Sequence, residues 1–475
     1  MKILLVSTEV NPYSKSGGLG DVIGSLPKAL REKGADVRVV LPLYKTIPTH
    51  LIENTTEVCK FPVHLSWRAH DTTVIASENS QVYFIKNDHY FDRDGYYGYD
   101  DDFERFAFFS KAAVELAGQV GFQADILHFN DWHTGLGPTY LRSIYHKFAY
   151  YAQMKSLFTI HNLHYQGVFG REILWEIGLN DGYFTNGELE FHGKVSYLKA
   201  GIVHADAVST VSKTYGAEIQ TPAYGYGMDG LLLRRGMDEG RLYGITNGID
   251  VIENDPATDT RIFANYDVTN LAGKRENKHR LQELLGLPVC DVPVIGMITR
   301  LAEQKGFDIF SIIIEELLNM DVQLVILGTG ECRYEDMLRH FAYKYPQKLS
   351  ANITFDTVLA QRIYAGADMF VMPSVYEPCG LGQLFAMRYG TVPIVRKTGG
   401  LADTVQHFDY SNGTGNGFLF EDYVASGLMW ALREAVHAYH TDKWEIIVQN
   451  AMTGDYSWNK AAGEYMEMYR RILEG

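Results

Sequence analysis

Short apolar runs alternate with segments of helical apolar spacing along most of this chain, and this alternation restricts the fold more than any other feature. The run at residues 3–6 is typical of a parallel strand covered on both faces. Residues 21–33 then repeat apolar side chains at helical spacing and stop at Gly34. Repeated strand–helix units predict parallel sheets joined by right-handed crossovers.

Two such series are present, and they predict two Rossmann-like lobes. Predicted strands of the first series lie at residues 3–6, 37–41, 126–129, 157–160 and 207–211, with an inserted hairpin region near Val63, Val74 and Val82. Those of the second lie at residues 292–298, 322–327, 353–355, 369–372 and 392–395. We therefore expect an α/β fold with two doubly wound parallel-sheet lobes and an interlobe cleft. The expected boundaries are an N-terminal lobe over 1–244, a C-terminal lobe over 245–455, and a last helix over 456–475 that is a candidate to return to the first lobe.

Charge and cysteine content narrow the classes of partner. The net charge of -15 over 475 residues argues against nucleic acid or an anionic membrane as the main partner, whereas a neutral polymer would not be repelled. The four cysteines show no paired spacing, so neither a disulfide framework nor a zinc site is expected, and a cytoplasmic location fits. No apolar stretch reaches about 18 residues, which predicts a protein without a membrane span.

A glycine-rich pattern occurs twice, at residues 15–19 (KSGGL) and 397–401 (KTGGL). In the first, the amides around Gly17 and Gly18 can approach a pyrophosphate at a helix N-terminus, and Lys15 adds positive charge. A tight turn with a solvated lysine is the alternative. The dinucleotide fingerprint G-x-G-x-x-G fails because its last position is Ile23, which disfavours a nicotinamide oxidoreductase.

Polar residues follow several predicted strands, at the edge where α/β proteins bind ligands. Arg300 and Lys305 follow one strand and could hold phosphate oxygens, although strand-end cations are often surface or capping residues. Asp131 and His161 follow two others, with a helix N-cap and a structural histidine as the respective alternatives.

The segment at residues 373–381 is the most specific. Glu377 follows a predicted strand, beside a proline and ahead of a glycine that opens a helix, so its carboxylate should be rigidly placed. The amides near Gly380 and Leu381 can face an anion. Cys379 is read as a packing residue rather than a nucleophile because no basic partner is adjacent. The acidic run at residues 100–102 is read as a helix cap rather than a metal site.

These motifs together closely resemble those of the bacterial glycogen synthases and plant starch synthases. The matching stretches occur in the family's order along the whole chain, at residues 15–19, 130–133, 159–162, 247–250, 300–306, 377–381 and 397–401. The resemblance implies a GT-B-type fold and retaining transfer of glucose from ADP-glucose to the nonreducing end of an α-1,4-glucan, such as glycogen, amylose or a maltooligosaccharide. It implies no metal and no cofactor, since ADP-glucose is a substrate.

The resemblance also assigns roles by matching position. It implies that Lys15, Arg300 and Lys305 contact the donor diphosphate, that His161 and Glu377 lie against the donor glucose, and that Asp131 is near the transfer point. The implied donor-binding set is completed by Gly17, Gly18, Asp21, Asn247, Cys379, Gly380 and Leu381.

Two positions depart from the wider family pattern. Phe385 stands where many wider relatives carry a second glutamate, which excludes a two-carboxylate mechanism at that motif and favours front-face attack assisted by the departing phosphate. Asn254 stands where a tryptophan is usual. A UDP-glucose-dependent relative and a catalytically silent glucan-binding or initiation protein remain as alternative functions.

Overall fold

In the computed structural model, which describes residues 1–79 and 81–475, the chain divides into two units. The first comprises Met1–Asn247 together with Trp458–Gly475, and the second comprises Gly248–Ser457.

A nine-stranded sheet runs through the first unit, and a small three-stranded antiparallel sheet accompanies it. The strands are β1 (Lys2–Val6), β2 (Asp36–Pro42), β3 (Thr55–Leu65), β4 (Arg68–Ser77), β5 (Val82–Lys86), β6 (Ile126–Asn130), β7 (Lys155–Ile160), β8 (Val168–Phe169), β9 (Glu190–Phe191), β10 (Lys194–Ser196), β11 (Ala207–Thr210) and β12 (Leu242–Gly244). The large sheet has the order β12-β11-β7-β6-β1-β2-β5-β4-β3, and the small sheet has the order β8-β10-β9.

Helices connect these strands and cover the large sheet. They are α1 (Gly18–Glu32), α2 (Asp88–Phe91), α3 (Asp102–Gln119), α4 (Leu136–Tyr140), α5 (Ile173–Glu176), α6 (Gly182–Thr185), α7 (Tyr197–His204), α8 (Lys213–Glu218) and α9 (Asp229–Leu233). The apolar spacing noted in the sequence places Val22, Leu26 and Leu30 on the buried face of α1. Two π-helical turns, Leu141–Tyr145 and Arg234–Asp238, follow α4 and α9.

The predicted hairpin near Val63 and Val74 is present as β3 and β4, but it is not separate from the large sheet. β4 pairs antiparallel with β5, and β5 pairs parallel with β2, so the hairpin continues the sheet at its edge. The carboxyl ends of β1, β6, β7 and β11 lie along one edge because these strands are mutually parallel.

The second unit contains a six-stranded parallel sheet of order β15-β14-β13-β16-β17-β18. Its strands are β13 (Val294–Ile298), β14 (Gln323–Leu327), β15 (Leu349–Asn352), β16 (Met369–Met372), β17 (Val392–Arg396) and β18 (Phe418–Phe420). Its helices are α10 (Ala272–Leu284), α11 (Phe307–Leu318), α12 (Cys332–Lys344), α13 (Thr357–Gly366), α14 (Gly382–Arg388), α15 (Gly399–Thr404), α16 (Ala425–Tyr439) and α17 (Trp444–Met452).

The strand predicted at residues 353–355 is wrong in position. The strand there is β15, which pairs with β14 from Leu349 opposite Leu324 to Asn352 opposite Leu327. Since β14 ends at Leu327, the residues after Asn352 have no strand to pair with, and Phe355 is exposed.

The last helix, α18 (Trp458–Glu474), belongs to the first unit. A buried polar chain connects it to the large sheet. Tyr469 Oη lies 2.8 Å from His128 Nδ1, and His128 Nε2 lies 2.6 Å from Thr159 Oγ1. Buried polar groups that are hydrogen-bonded in this way fix one packing arrangement of the helix. Within the described ranges, no helix combines the length and apolar character needed to cross a membrane.

Candidate active site

The residues predicted from sequence fall into two groups, one in each unit. The first unit holds Lys15, Gly17, Gly18, Asp21, Asp131, His161 and Asn247, and the second holds Arg300, Lys305, Glu377, Cys379, Gly380 and Leu381.

The centre of the second group is an ion pair between Lys305 and Glu377. Lys305 Nζ lies 2.7 Å from Glu377 Oε2, and Ser374 Oγ donates to the same oxygen at 3.0 Å. The two charged side chains are only 17% and 10% exposed. Two hydrogen bonds on one oxygen of a largely buried carboxylate fix the direction of both side chains.

Both residues follow carboxyl ends of neighbouring strands. Lys305 ends a short 3-10 turn after β13, and Glu377 lies in the loop after β16. The adjacent Gly306 has φ +82°, and a Cβ there would lie 2.1 Å from the Pro373 carbonyl oxygen. Glycine therefore allows the two loops to touch through their backbones.

The second glycine-rich turn supports Glu377 directly. Gly400 N donates to the Glu377 carbonyl oxygen at 3.0 Å, and a Cβ on Gly399 would lie 1.9 Å from that oxygen. Gly399 has φ +46° and begins α15. The Lys397 ammonium of this turn instead contacts the exposed Glu421 carboxylate at 2.6 Å. The turn thus fixes the backbone that carries the carboxylate.

Arg300 lies on the same loop as Lys305 and is exposed. Its Nη2 donates to Gln304 Oε1 at 3.0 Å, and Val375 N donates to the Gln304 carbonyl oxygen at 2.9 Å. Gln304 therefore connects the Arg300 loop with the Glu377 loop.

The segment after Glu377 presents backbone donors at the start of α14. In the part of the chain that the structure describes, Gly380 and Leu381 donate no backbone hydrogen bond. Gln383 Nε2 donates to the carbonyl oxygens of Cys379 and Gly380, at 3.2 and 2.9 Å, and so holds this turn. The Cys379 side chain is buried, in agreement with a packing role. The two amides remain available to an anion.

In the first unit, the glycine-rich turn is held by Glu9, which the sequence reasoning missed. The buried Glu9 carboxylate accepts hydrogen bonds from Ser16 N, Ser16 Oγ and Gly17 N, at 2.5, 2.7 and 3.1 Å. Tyr97 Oη donates at 2.9 Å to Glu9 Oε1, the oxygen that also accepts from Ser16 Oγ. The Gly17 amide, predicted to be free for a pyrophosphate, is therefore occupied, whereas Gly18 begins α1.

Lys15 and Asp21 are brought together by this turn. Lys15 Nζ lies 2.7 Å from Asp21 Oδ1, and both side chains are partly exposed. Burial raises the pKa of Asp21, and the Lys15 ammonium partly opposes that rise.

Asp131 and His161 are also neighbours. Asp131 Oδ1 accepts hydrogen bonds from the backbone amides of His161 and Asn162, at 2.7 and 3.4 Å. Burial raises the pKa of Asp131 to about 7, although these two amides stabilise its charged form. Asp131 has φ +57° and ψ 175°, a conformation that costs free energy for a residue with a side chain and is characteristic of functional sites.

The His161 imidazole is neutral, and its tautomer follows from its neighbour. Burial lowers the pKa of His161 to about 3. Asn130 Nδ2 donates to the Val6 carbonyl oxygen at 3.1 Å, which turns Asn130 Oδ1 toward His161 Nε2 at 2.9 Å. His161 Nε2 must therefore carry the proton, leaving Nδ1 as an acceptor.

The other positions singled out in the sequence differ in their surroundings. Asn247 is buried, and its Oδ1 has no hydrogen-bond partner among the described residues. Asp101 pairs with Arg93 through two hydrogen bonds of 2.5 and 2.6 Å. Phe385 packs on the Tyr364 ring, with centroids 5.7 Å apart. Asn254 donates to the Asp250 carbonyl oxygen at 2.9 Å and accepts from Gln361.

No group of three or more histidine, cysteine or acidic residues suited to a metal ion is found in residues 1–79 and 81–475.

Glu9, Ser374 and Asn130 are the supporting residues that the sequence analysis missed. A signal existed for Glu9, because a carboxylate stands between the first strand and the glycine-rich turn. Ser374 and Asn130 lie within the stretches 373–381 and 130–133 that the sequence analysis singled out, but neither was given a role, since small polar residues at strand ends are common.

Comparison with known proteins covers both units. The family model described as the starch synthase catalytic domain matches residues 2–234, and the model described as glycosyl transferases group 1 matches residues 289–451. A glycogen synthase from Clostridium novyi (strain NT) is 50% identical, with 100% of this chain and 99% of that protein covered. A glycogen synthase from Desulforudis audaxviator (strain MP104C) is 49% identical, with 100% and 97% covered.

Among solved structures, the chain is similar to the catalytic domain of starch synthase IV from Arabidopsis thaliana bound to ADP and acarbose. The TM-score is 0.92 at 33% sequence identity, with 100% of this chain and 99% of that chain covered.

Proposed function

The chain belongs to the glycogen synthase and starch synthase family of glycosyltransferases, and from this premise we propose that it transfers glucose from ADP-glucose to the nonreducing end of an α-1,4-glucan with retention of configuration. The donor is proposed because the similar starch synthase is described as bound to ADP and acarbose. The four cysteines are free thiols, which supports a reducing cytoplasm as the location.

The Lys305–Glu377 ion pair is the observation that carries the proposal. An ammonium group has three donors, and Glu377 takes one of them at 2.7 Å. The other two can face oxygens of the donor diphosphate. As the glycosidic bond of the donor breaks, negative charge grows on the departing phosphate, so Lys305 stabilises the transition state more than the bound substrate.

Arg300 and the amides of Gly380 and Leu381 complete the proposed diphosphate contacts in the second unit. The exposed guanidinium of Arg300 can bond two phosphate oxygens at once. Lys15 of the first unit is proposed as a further contact, with Asp21 as the carboxylate that orients it. Asn247, with its unpartnered Oδ1, is proposed as a further donor-binding residue.

His161, Asp131 and Glu377 are proposed to act on the sugar. His161 Nδ1 can accept a hydrogen bond from a hydroxyl of the donor glucose, since the proton is on Nε2. Asp131 is proposed to lie near the transfer point. Phe385 leaves no second carboxylate at the Glu377 motif for a covalent intermediate. Retention is therefore proposed to follow from front-face attack, with the departing phosphate taking the acceptor's proton.

A donor panel tests this function. Purified protein is incubated with glycogen and ADP-[14C]glucose or UDP-[14C]glucose, and label precipitated with the glucan is counted. We expect incorporation from ADP-glucose well above that from UDP-glucose, and α-1,4 linkages in the product by proton NMR. Preferential use of UDP-glucose would support the first alternative, and incorporation from neither donor would support a silent glucan-binding protein.

A further inference from the structure

A polar cavity lies in the first unit, apart from every residue assigned above. Its volume is about 600 Å³, which suits a ligand of monosaccharide to disaccharide size. Three arginines, two glutamates and a tyrosine dominate its lining: Arg142, Arg234, Arg235, Glu188, Glu239 and Tyr183.

This cavity lies at the amino-terminal edge of the large sheet. Arg235 Nη2 donates to the Ala205 carbonyl oxygen at 2.7 Å, and Ala205 lies two residues before the start of β11. Asp131 and His161 follow the carboxyl ends of β6 and β7, which run parallel to β11. The cavity and these two residues are therefore at opposite edges of the same sheet.

The lining carries an excess of positive charge. Glu239 bridges two of the arginines, accepting from Arg234 Nε at 3.0 Å and from Arg235 Nη1 at 2.7 Å. Glu188 Oε2 lies 3.1 Å from His204 Nε2; burial lowers the pKa of His204, and the Glu188 carboxylate partly opposes that fall. Three guanidinium groups against two carboxylates leave one surplus positive charge, in a chain whose net charge is -15.

The surplus charge belongs to Arg142. Across the two described ranges of the chain, the Arg142 side chain forms no ion pair or hydrogen bond, and it is exposed. Arg234 bonds Glu239 through Nε, so its Nη1 and Nη2 atoms take no part in that ion pair. Guanidinium groups with free nitrogens match the oxygens of a phosphate group bidentately.

The backbone around this cavity is irregular in a way that also indicates a binding site. Arg142 lies in the π-helical turn Leu141–Tyr145, and Arg234 and Arg235 lie in the π-helical turn Arg234–Asp238. These are the π-helical turns found among the described residues, and both border the same cavity. Such turns are rare and occur frequently at functional sites.

We propose that this cavity binds a phosphorylated monosaccharide, with its phosphate held by Arg142 and Arg234. The two glutamates accept hydrogen bonds from sugar hydroxyls, Glu188 through the oxygen that does not face His204. The Tyr183 ring offers an apolar face to the pyranose. A neutral glucan would leave the Arg142 charge without a partner, whereas a phosphate group pairs it. The site is distinct from the glucosyl-transfer reaction and does not depend on the identity of its donor.

Isothermal titration calorimetry of the full chain tests the proposal, with glucose 6-phosphate as the probe and glucose and inorganic phosphate for comparison. Glucose 6-phosphate should bind more tightly than either comparison compound. Arg142→Gln, which breaks no hydrogen bond or ion pair among the described residues, and Arg234→Gln should each weaken that binding about tenfold or more. Arg471→Gln, at an exposed arginine that pairs with Glu467, should bind as the wild type does.

Lys305→Ala separates this site from the proposed donor site, and it should keep wild-type affinity for glucose 6-phosphate. The proposal is overturned if glucose 6-phosphate does not bind, or if glucose binds equally well. It is also overturned if binding is lost in Lys305→Ala but retained in Arg142→Gln.

Discussion

Lys305 and Glu377 are 72 residues apart in sequence, yet Nζ of the lysine lies 2.7 Å from Oε2 of the glutamate. Ser374 donates to the same oxygen, and the glycines at 306 and 399 let the neighbouring backbones approach closely enough to hold the pair. A preorganised cation of this kind needs no rearrangement when negative charge develops on a leaving group.

Glu377→Gln should lower kcat by roughly 10²–10³ while leaving the fold intact, because the amide keeps the shape but removes the charge that orients Lys305. Steady-state kinetics with ADP-glucose and glycogen measures the effect. Glu315→Gln is the matched control, since Glu315 forms an exposed ion pair with Lys344 in the same unit. A fully active Glu377→Gln variant would reduce Glu377 to a structural role.

Gly399→Ala should lower both the thermal stability and kcat/KM, the latter by about tenfold or more. The new Cβ would lie 1.9 Å from the Glu377 carbonyl oxygen, so the backbone of the carboxylate must shift, and small displacements at a reacting centre are costly. Gly463→Ala is the control, because a Cβ there meets nothing within 4 Å and Gly463 lies inside α18. Gly463→Ala should be neutral or slightly stabilising. Equal behaviour of the two variants would contradict the supporting role of Gly399.

Asp131→Asn should stabilise the protein more at pH 8 than at pH 6. Burial raises the folded-state pKa of Asp131 to about 7, above its unfolded value, so the folded state favours the protonated carboxyl. The stability that the Asp131 carboxyl contributes is fully present below its unfolded pKa and is lost as the pH rises to its folded pKa. Between pH 6 and 8 the wild type loses about 1.4 kcal/mol of its free energy of unfolding in this way. The variant does not lose it, because asparagine does not titrate.

The difference in melting temperature between Asp131→Asn and the wild type, measured at both pH values, checks this prediction. The variant should also be less active, because a strained, ionisable residue is exchanged for a neutral one. A stability difference independent of pH would show that the Asp131 carboxyl titrates normally.

Glu9→Gln should destabilise the first unit by about 1–3 kcal/mol, because a buried carboxylate that accepts four hydrogen bonds is replaced by a group with one acceptor oxygen. Since Glu9 holds the turn at Ser16 and Gly17, KM for ADP-glucose should rise as well. Chemical denaturation and steady-state kinetics measure these effects, and Glu57→Gln, at an exposed position on β3, is the control. Wild-type stability and KM in Glu9→Gln would mean that the turn is held without Glu9.

The predicted α/β GT-B-type fold with two Rossmann-like lobes is confirmed, because buried parallel strands need continuous apolar runs that can be read from the sequence. The strand predicted at residues 353–355 was displaced because its position depends on where its partner β14 ends. Register of this kind is set by pairing across the sheet and not by local composition.

The proposed site was only partly predictable for a related reason. Lys305, Glu377, Asp131 and His161 stand at strand ends, where parallel topology brings polar residues to one edge of each sheet. The partners of these residues depend on tertiary contacts. The sequence showed two similar glycine-rich turns, but not that Glu9 occupies amides of the first or that the second supports the Glu377 backbone.

The most direct test of the central claim is the rate of [14C]glucose transfer from ADP-glucose to glycogen by Lys305→Ala, compared with Lys344→Ala, which removes an exposed lysine paired with Glu315 in the same unit. If Lys305 stabilises the departing diphosphate, kcat falls by roughly 10²–10³ in a Lys305→Ala variant that remains folded at the assay temperature, and Lys344→Ala transfers glucose at the wild-type rate. Near-wild-type turnover by a folded Lys305→Ala variant would contradict the claim.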